Sequence, residues 1–294
     1  MAGRQGDIYE EVTNRLIEQM EQGLIPWRKP WVGGSAMAIS YATGKPYSLL
    51  NQMLMQPGEY ITFNQCQKQG GKVRKGSKSS RVYLWKTITI NVTDVDGNEI
   101  LDEDGNPRKK DIWILKGWNV FNLNDCEGIK PRWTSEAPAA TAKPEAAAEK
   151  VLLDYVQREG IKLHRKNPSA QAYYSPAMDL INLPCLSQYT EAAEYYSTAF
   201  HEATHSTGHP SRLNRFESTG KNAAFGSDEY SKEELTAEIG AACILHQLGI
   251  ETPGSFKNSA AYLQGWLKKL KNDKRFIISA SARAEKAVRL ILNQ

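Results

Sequence analysis

The sequence predicts an α+β fold in two parts. Apolar residues at helical spacing open the chain and fill most of its second half, whereas residues 81–93 and 111–123 alternate and are rich in β-branched and aromatic side chains. Residues 134–149 (TSEAPAATAKPEAAAE) lie between the second alternating run and the helical second half of the chain. They contain no large apolar side chain, which predicts a semi-rigid linker running into the next helix. We therefore expect an N-terminal domain at residues 1–133 and a C-terminal domain at residues 150–294.

The elements of the N-terminal domain follow from spacing and turn residues. The segment DIYEEVTNRLIEQMEQG places its apolar residues from Ile8 to Met20 on one face of a helix, which Gly23 ends. A short helix is expected around Leu49–Met55. Two Asp-Gly pairs, at 96–97 and 104–105, separate the two alternating runs. These features predict helices packed on an antiparallel sheet.

The C-terminal domain is predicted to combine long helices with a few short strands. We expect a helix at 146–159, a strand at 161–163 and a strand pair in AYYSPAMDLINLP, residues 172–184. A long helix follows, with Thr190 as its N-cap and its end near His205. Further helices are predicted at 231–248, 259–271 and 279–292.

Composition and cysteine spacing exclude several classes of protein. The chain is 40% hydrophobic and 24% charged, as in ordinary soluble proteins. No apolar run approaches the roughly 18 residues that span a bilayer, and the first residues lack the apolar segment of a signal peptide, so we expect a cytoplasmic protein. The four cysteines form no C-x-x-C pair, which argues against a disulfide framework or a cysteine zinc site.

The segment HEATHSTGH, residues 201–209, places an H-E-x-x-H motif in the long predicted helix. Residues four apart share a helix face, so His201 and His205 can bind one ion while Glu202 lies beside it. Zn²⁺ makes water more acidic, and a carboxylate in this position can take the proton during attack on a peptide carbonyl. The motif predicts a site for Zn²⁺, or another divalent transition metal, with Glu202 as catalytic base. We expect Gly208 to end the helix at a sharp chain reversal.

A catalytic zinc ion needs a third protein ligand, and two glutamates compete for that role. The spacing of Glu234 and Glu238 in SKEELTAEIGAA resembles the glutamate helix of gluzincins, which implies that Glu234 binds the metal and Glu238 orients a ligand histidine through a hydrogen bond. In the alternative, Ser231 and Glu234 form a capping box, which leaves Glu238 as the ligand. His209 is a weaker option, because metzincin spacing would place that ligand at Ser211.

A second candidate site is basic. Between Glu59 and Asp94 the chain has no acidic residue and carries the segment KQGGKVRKGSKSSR. Loops of this composition approach phosphates closely, and proteins that bind single strands add aromatic faces on which bases stack. No helix-turn-helix or zinc-finger pattern is visible, so base-specific reading of duplex DNA is not indicated. The residues predicted to contact single-stranded DNA are Trp27, Arg28, Trp31, Tyr47, Lys72, Arg74, Lys75, Lys78 and Arg81.

Several segments resemble one family in collinear order. PWRKPW, GKPYSLLN, YITFNQCQKQGGKVRKG and LKGWNVFNLNDC resemble the N-terminal domain of the ArdC-type antirestriction proteins of conjugative plasmids. DLINLP, FHEATHSTGHPSRLNR and FGSDEYSKEELTAEIGAA resemble that family's zincin-like metallopeptidase domain, whose fold is similar to SprT-like metalloproteases. The resemblance implies binding of single-stranded DNA, with Tyr47 and Asn51 matching the family's tyrosine motif, and protection of incoming plasmid DNA from restriction. Leu49 stands where that motif often has glycine.

Two functions therefore remain open at the level of sequence. In the first, the protein is a DNA-tethered zinc peptidase that acts on a DNA-bound protein such as a restriction enzyme. In the second, it is a single-stranded DNA-binding protein whose metal is structural and which protects DNA by occlusion alone. A metallo-nuclease is less favoured, because that chemistry expects a carboxylate-rich site suited to Mg²⁺.

Overall fold

The computed structural model describes residues 7–29, 37–133, 143–165, 171–218, 228–250 and 260–294. Trp31 and the predicted linker up to residue 142 lie outside these ranges. The helices are α1 (Ile8–Glu21), α2 (Leu49–Leu54), α3 (Phe63–Lys68), α4 (Pro144–Glu159), α5 (Ala192–Ser206), α6 (Arg215–Ser218), α7 (Asp228–Gln247), α8 (Ala260–Asn272) and α9 (Phe276–Leu292). The strands are β1 (Ala38–Ser40), β2 (Gly58–Ile61), β3 (Lys72–Val73), β4 (Ser80–Asn91), β5 (Lys109–Asn122), β6 (Cys126–Glu127), β7 (Lys162–His164), β8 (Tyr173–Ser175) and β9 (Leu180–Asn182).

The N-terminal half is built on a mixed sheet with strand order β1-β2-β5-β4. Its longest pair is the antiparallel hairpin of β4 and β5, which extends to Asn91 opposite Lys109. The two Asp-Gly turns lie beyond these strands, and their glycines, Gly97 and Gly105, adopt φ angles of 89° and 80° that side chains with a Cβ disfavour. The α+β class and the hairpin predicted from alternation are confirmed.

The C-terminal half packs its helices against a three-stranded sheet with order β7-β9-β8. Strands β8 and β9 pair antiparallel, as residues 172–184 predict. The predicted helices are present with shifted starts: the N-cap of α5 is Glu191 rather than Thr190, and α7 begins at Asp228. Ser231 therefore lies inside α7, and the capping-box alternative for Glu234 is wrong. Across the described ranges, none of the helices combines the length and the apolar character needed to cross a bilayer.

One hydrophobic core joins the two halves of the chain. Residues of α1 and α2 and the side chain of Trp27 belong to the same buried cluster as residues of α5, α7, α8 and α9. Trp27 is 0% exposed and meets Trp266 of α8 edge to face, with ring centroids 6.4 Å apart. Thr13 of α1 also donates a hydrogen bond of 2.7 Å to the carbonyl of Lys274. The N-terminal helices are thus part of the scaffold that supports the C-terminal helices.

Candidate functional site

The two histidines of the HEATH motif lie on one face of α5. Another face of this helix packs into the core through Ala199, Phe200 and Ala203, all 0% exposed, which fixes the rotation of the helix about its axis. His201 Nε2 and His205 Nε2 are 3.1 Å apart, and their ring centroids are separated by 4.7 Å. Both imidazoles therefore converge on the same space.

A carboxylate from α7 completes the cluster. Glu234 Oε2 lies 3.5 Å from His201 Nε2, and Glu234 Oε1 lies 3.6 Å from His205 Nε2. The ligand atoms of these three residues all lie within 4.8 Å of one another. Two imidazoles and one carboxylate form a ligand set typical of catalytic zinc sites, which keep a position open for water or substrate. The donor chemistry therefore fits a divalent transition metal.

Helix α7 reaches the histidines because it packs closely against α5. A Cβ atom at Gly240 would lie 2.7 Å from Thr204 Cγ2 and 2.8 Å from Thr204 Oγ1. Thr204 is fully buried, and its hydroxyl donates a hydrogen bond of 2.7 Å to the carbonyl of Phe200, so the side chain has little freedom to move away. The absence of a side chain at Gly240 thus allows the helix contact that brings Glu234 to the histidines.

We expect Gly240→Ala to lower the free energy of unfolding by about 1–3 kcal/mol, because the added methyl group overpacks the contact with Thr204. Metal affinity should fall as well, since α7 must shift relative to α5. Thermal unfolding measures the first effect, and titration of metal-stripped protein with Zn²⁺ or Mn²⁺ measures the second. Gly265→Ala on α8 is the matched control, because a Cβ atom there meets nothing within 4 Å. Equal stability of Gly240→Ala and wild type would contradict the close contact.

Glu233, the residue before Glu234, holds His205 from the other side of its ring. Glu233 Oε1 lies 3.3 Å from His205 Nδ1, and the carboxylate also accepts hydrogen bonds of 2.6 and 3.0 Å from Arg215. A proton on Nδ1 donated to this carboxylate leaves the Nε2 lone pair facing the cluster. Burial opposes ionisation of Glu233, but the hydrogen bonds from His205 and Arg215 and their charges lower its pKa to about 2.

The remaining charges around the cluster are also acidic. Burial acts to lower the pKa of His205, but the hydrogen bond and charge of Glu233, together with the charges of Glu234 and Glu202, raise it overall. Glu202 itself is buried, at 8% exposure. The pKa of Tyr230 is raised to about 12, first by burial and then by Glu234, to which its hydroxyl hydrogen-bonds. The site thus concentrates negative charge where a cation would bind.

Glu238 does not make the contact that the sequence predicted for it. It lies one turn further along α7, where its Oε2 is 3.5 Å from Arg28 Nη2, and it lines a cavity of 200 Å³ that also borders His201. Glu238 thus contacts Arg28, and the carboxylate beside Nδ1 of His205 is that of Glu233. The spacing of four residues correctly places Glu234 and Glu238 on one face, but it cannot specify which turn lies opposite His205. The adjacent acidic pair in SKEE was the only signal for Glu233.

The loop after α5 contains two further residues considered in the sequence, His209 and Gly208. His209 Nδ1 lies 2.7 Å from the hydroxyl of Ser211, so this histidine is engaged within its own loop. Gly208 is not among the glycines with positive φ, and a Cβ atom there would lie 2.7 Å from Phe216 Cζ. Gly208 therefore serves close packing against the following segment rather than a left-handed helix end.

Two residues predicted to contact DNA are buried instead, and a third is mostly covered. Trp27 lies in the core, and Asn51 is 0% exposed, with its side-chain amide bonded at 2.8 Å to both the N–H and the carbonyl of Tyr83. Arg28 is 14% exposed, pairs with Glu238 and stacks over a tyrosine ring of α8. The burial of Trp27 and Asn51 contradicts a surface position for these two side chains. An aromatic segment between two prolines can be exposed or can be covered by a distant helix, and the local sequence is the same in both cases.

The other predicted contacts differ in exposure. Tyr47 is partly buried and meets Tyr60 edge to face, with centroids 6.5 Å apart, and Arg81 lies 3.4 Å from Glu11. The exposed cations are Lys72, Arg74, Lys75 and Lys78. Of these four, Arg74 makes a solvent-exposed ion pair of 3.4 Å with Glu127. The basic segment before β4 is therefore available to solvent.

These elements define a zincin-like metallopeptidase domain, with an H-E-x-x-H helix facing a glutamate helix beside a small sheet. The family described as "Zincin-like metallopeptidase" matches residues 150–283. The family described as "N-terminal domain of anti-restriction factor ArdC" matches residues 6–121. The fold class predicted for the C-terminal half is confirmed.

Solved structures agree over nearly the whole chain. The metal-free crystal structure of the antirestriction ArdC protein from the R388 plasmid is 35% identical, covers 97% of this chain and 96% of that chain, and superposes with a TM-score of 0.71. The Mn(II)-bound structure of the R388 protein is 33% identical and gives a TM-score of 0.70. The match covers 98% of this chain and 97% of that chain. The chain belongs to the ArdC family of antirestriction proteins, as its motifs indicated.

A curated relative is much longer than this chain. DNA primase TraC from Escherichia coli is 35% identical over 308 residues, a match that covers 99% of this chain. The chain spans only 28% of the length of that relative. The similarity therefore concerns one portion of TraC, and the primase description applies to TraC as a whole.

Proposed function

We propose that the chain is an antirestriction protein that binds single-stranded DNA and carries a metal-dependent peptidase site. The observation that carries this proposal is the convergence of His201, His205 and Glu234, whose ligand atoms lie within 4.8 Å of one another. Zn²⁺ suits this ligand set, and Mn²⁺ is the ion named for the related R388 structure. When bound, such an ion supplies a Lewis acid that polarises a peptide carbonyl and increases the acidity of water.

The side chains around the cluster divide the remaining work. In this proposal Glu202, the residue after His201 on α5, takes a proton from the attacking water and returns it to the leaving amine. Glu233, fixed by two hydrogen bonds from Arg215, holds the imidazole of His205 in one orientation. The hydroxyl of Tyr230 restrains Glu234 in the same way. The site is therefore pre-organised by residues that do not themselves bind the metal.

The basic segment before β4 supplies a surface for DNA. Lys72, Arg74, Lys75 and Lys78 are all exposed, and all four lie within seven consecutive residues. Each cation that contacts a phosphate releases a counterion, which provides affinity without sequence preference. These features support binding of a nucleic acid strand through its backbone.

We expect the combined change Arg74→Ala and Lys75→Ala to make oligonucleotide binding less dependent on salt. The slope of log K against log salt should become shallower by about 1.4, since a single strand contributes about 0.7 for each phosphate contact. Fluorescence anisotropy of labelled oligothymidylate at several salt concentrations measures this slope. The combined change Lys150→Ala and Lys162→Ala, at exposed lysines of α4 and β7, is the control. A slope that stays unchanged would remove the basic segment from the interface.

DNA binding would bring the peptidase site close to proteins already on the DNA, such as a restriction enzyme, by raising the local concentration. The test of the biological function is transfer of an unmodified plasmid into a restricting host that does or does not contain the protein. We expect the protein to increase recovery in the restricting host and to leave recovery unchanged in a host without restriction. Equal recovery in the restricting host with and without the protein would contradict an antirestriction function.

A further inference from the structure

The hairpin of β4 and β5 carries tryptophans that the core does not use. The register places Tyr83, Trp85 and Trp113 on the same face of the hairpin, because Trp113 lies opposite Thr87, two residues beyond Trp85. Tyr83 is buried at the base of this face, whereas Trp85 is 44% exposed and Trp113 is 68% exposed. Exposed aromatic side chains grouped in this way are typical of binding surfaces.

Helix α9 and its N-cap residue Arg275 form an opposing wall of cations. Arg275, Arg283 and Lys286 recur at helical spacing, and together with the two tryptophans they line a cavity of 420 Å³. This volume lies within the range of roughly 300–1,000 Å³ found for ligand sites. Tyr9 joins the two walls: its ring centroid is 6.4 Å from that of Trp85, and the guanidinium carbon of Arg275 lies 4.6 Å above it. We call this cavity the hairpin groove.

The charge of the hairpin groove favours an anionic occupant. Its described lining residues include three cations and no carboxylate. Arg275 and Lys286 are exposed, whereas Arg283 is held with its Nη2 3.5 Å from Glu229 Oε2. Aromatic faces next to exposed cations are the combination that recognises single-stranded nucleic acid, through stacked bases and phosphate contacts.

We propose that the hairpin groove holds a segment of single-stranded DNA, with bases stacked on Trp113 and Trp85 and phosphates against Arg275 and Lys286. This inference rests on the proposed DNA-binding function and adds a stacking site that is separate from the basic segment before β4. Through Arg283 and Glu229 the inner wall of the groove touches the first turn of α7, the helix that carries Glu234. A strand bound there lies beside the helix that supports the candidate metal site.

The test is the affinity of full-length protein for labelled oligothymidylate, measured by fluorescence anisotropy for wild type, Trp113→Ala and Lys286→Ala. We expect Trp113→Ala to weaken binding by about tenfold, because one base loses its stacking partner. Lys286→Ala should make the salt slope shallower by about 0.7. Trp113→Phe should retain most of the affinity but lose part of the quenching of tryptophan fluorescence that the oligonucleotide causes.

The controls are Tyr173→Ala, an aromatic residue 42% exposed on β8, and Lys162→Ala on β7. Both are expected to bind as wild type does, and unfolding curves confirm that the variants are folded. Wild-type affinity in Trp113→Ala and an unchanged salt slope in Lys286→Ala would overturn the hairpin groove as a DNA site while leaving the proposed function standing. Failure of the wild-type protein to bind any single strand would overturn the DNA-binding function itself, and the groove with it.

Discussion

Replacing Glu202 with glutamine is expected to reduce peptide-bond cleavage by about two to four orders of magnitude, the usual contribution of a positioned general base. Glutamine has nearly the same shape as glutamate but cannot accept the proton from water. The substitution leaves the cluster of His201, His205 and Glu234 unchanged, so bound metal should be retained. Cleavage of β-casein by metal-loaded protein, with and without oligothymidylate, measures the effect, and metal content is determined on the same samples.

Glu194→Gln is the matched control, because it makes the same chemical change two turns earlier on α5. Its cleavage rate should equal that of wild type. Cleavage by Glu202→Gln at the wild-type rate would remove Glu202 as the base. If Glu202→Gln gives full protection in the plasmid-transfer assay although cleavage is lost, proteolysis is unnecessary, and occlusion of DNA by a protein with a structural metal becomes the favoured function.

Replacing Glu233 with alanine is expected to lower the free energy of unfolding by about 3–5 kcal/mol, the cost of leaving a buried charge without its partner. The side chain of Arg215 is only 7% exposed and would keep its charge within the protein. Metal affinity should also fall, by about 10–100-fold, because His205 loses the group that fixes its ring. Chemical denaturation of metal-free protein measures the stability, and metal titration measures the affinity.

Glu229→Ala provides the comparison on the same helix. Glu229 is 40% exposed and pairs with Lys232 and Arg283. Its replacement should therefore lower the free energy of unfolding by no more than about 1 kcal/mol. Glu233→Gln retains hydrogen-bonding capacity, so its free energy of unfolding and its metal affinity should lie between those of wild type and Glu233→Ala. If Glu233→Ala were as stable as Glu229→Ala and bound metal as wild type does, the orienting role of Glu233 would be wrong.

Much of the fold follows from patterns that depend on near neighbours. The hairpin was predicted from alternation over residues 81–93 and 111–123, and α5 from helical spacing that also placed His201 and His205 on one face. These predictions succeeded because the period of the side chains is fixed by the local backbone. The assignment of Glu234 as third ligand stays a prediction, which the convergence of the three side chains supports.

The errors concern contacts between distant segments. Trp27 was expected on a surface, but Trp266 covers it from a helix more than two hundred residues later in the chain. Whether Glu233 or Glu238 lies beside His205 depends on how α7 crosses α5. Gly240 permits the close crossing, and no local sequence pattern encodes it. Trp113 is also absent from the predicted DNA contacts. Alternation shows which residues share a face of the hairpin, but it does not show that the hairpin extends beyond the core and leaves Trp113 exposed.

The metal content of the purified protein tests the central claim most directly. Elemental analysis, followed by titration of chelator-treated protein with Zn²⁺ and Mn²⁺, should show one tightly bound ion per chain in wild type, Glu202→Gln and Glu238→Ala. The same measurement should show loss of that ion in His201→Ala, His205→Ala and Glu234→Ala, all with folding checked by circular dichroism. A wild-type protein that binds neither ion in stoichiometric amount, or a Glu234→Ala protein that binds as tightly as wild type, would contradict the assignment of these three side chains as the metal ligands.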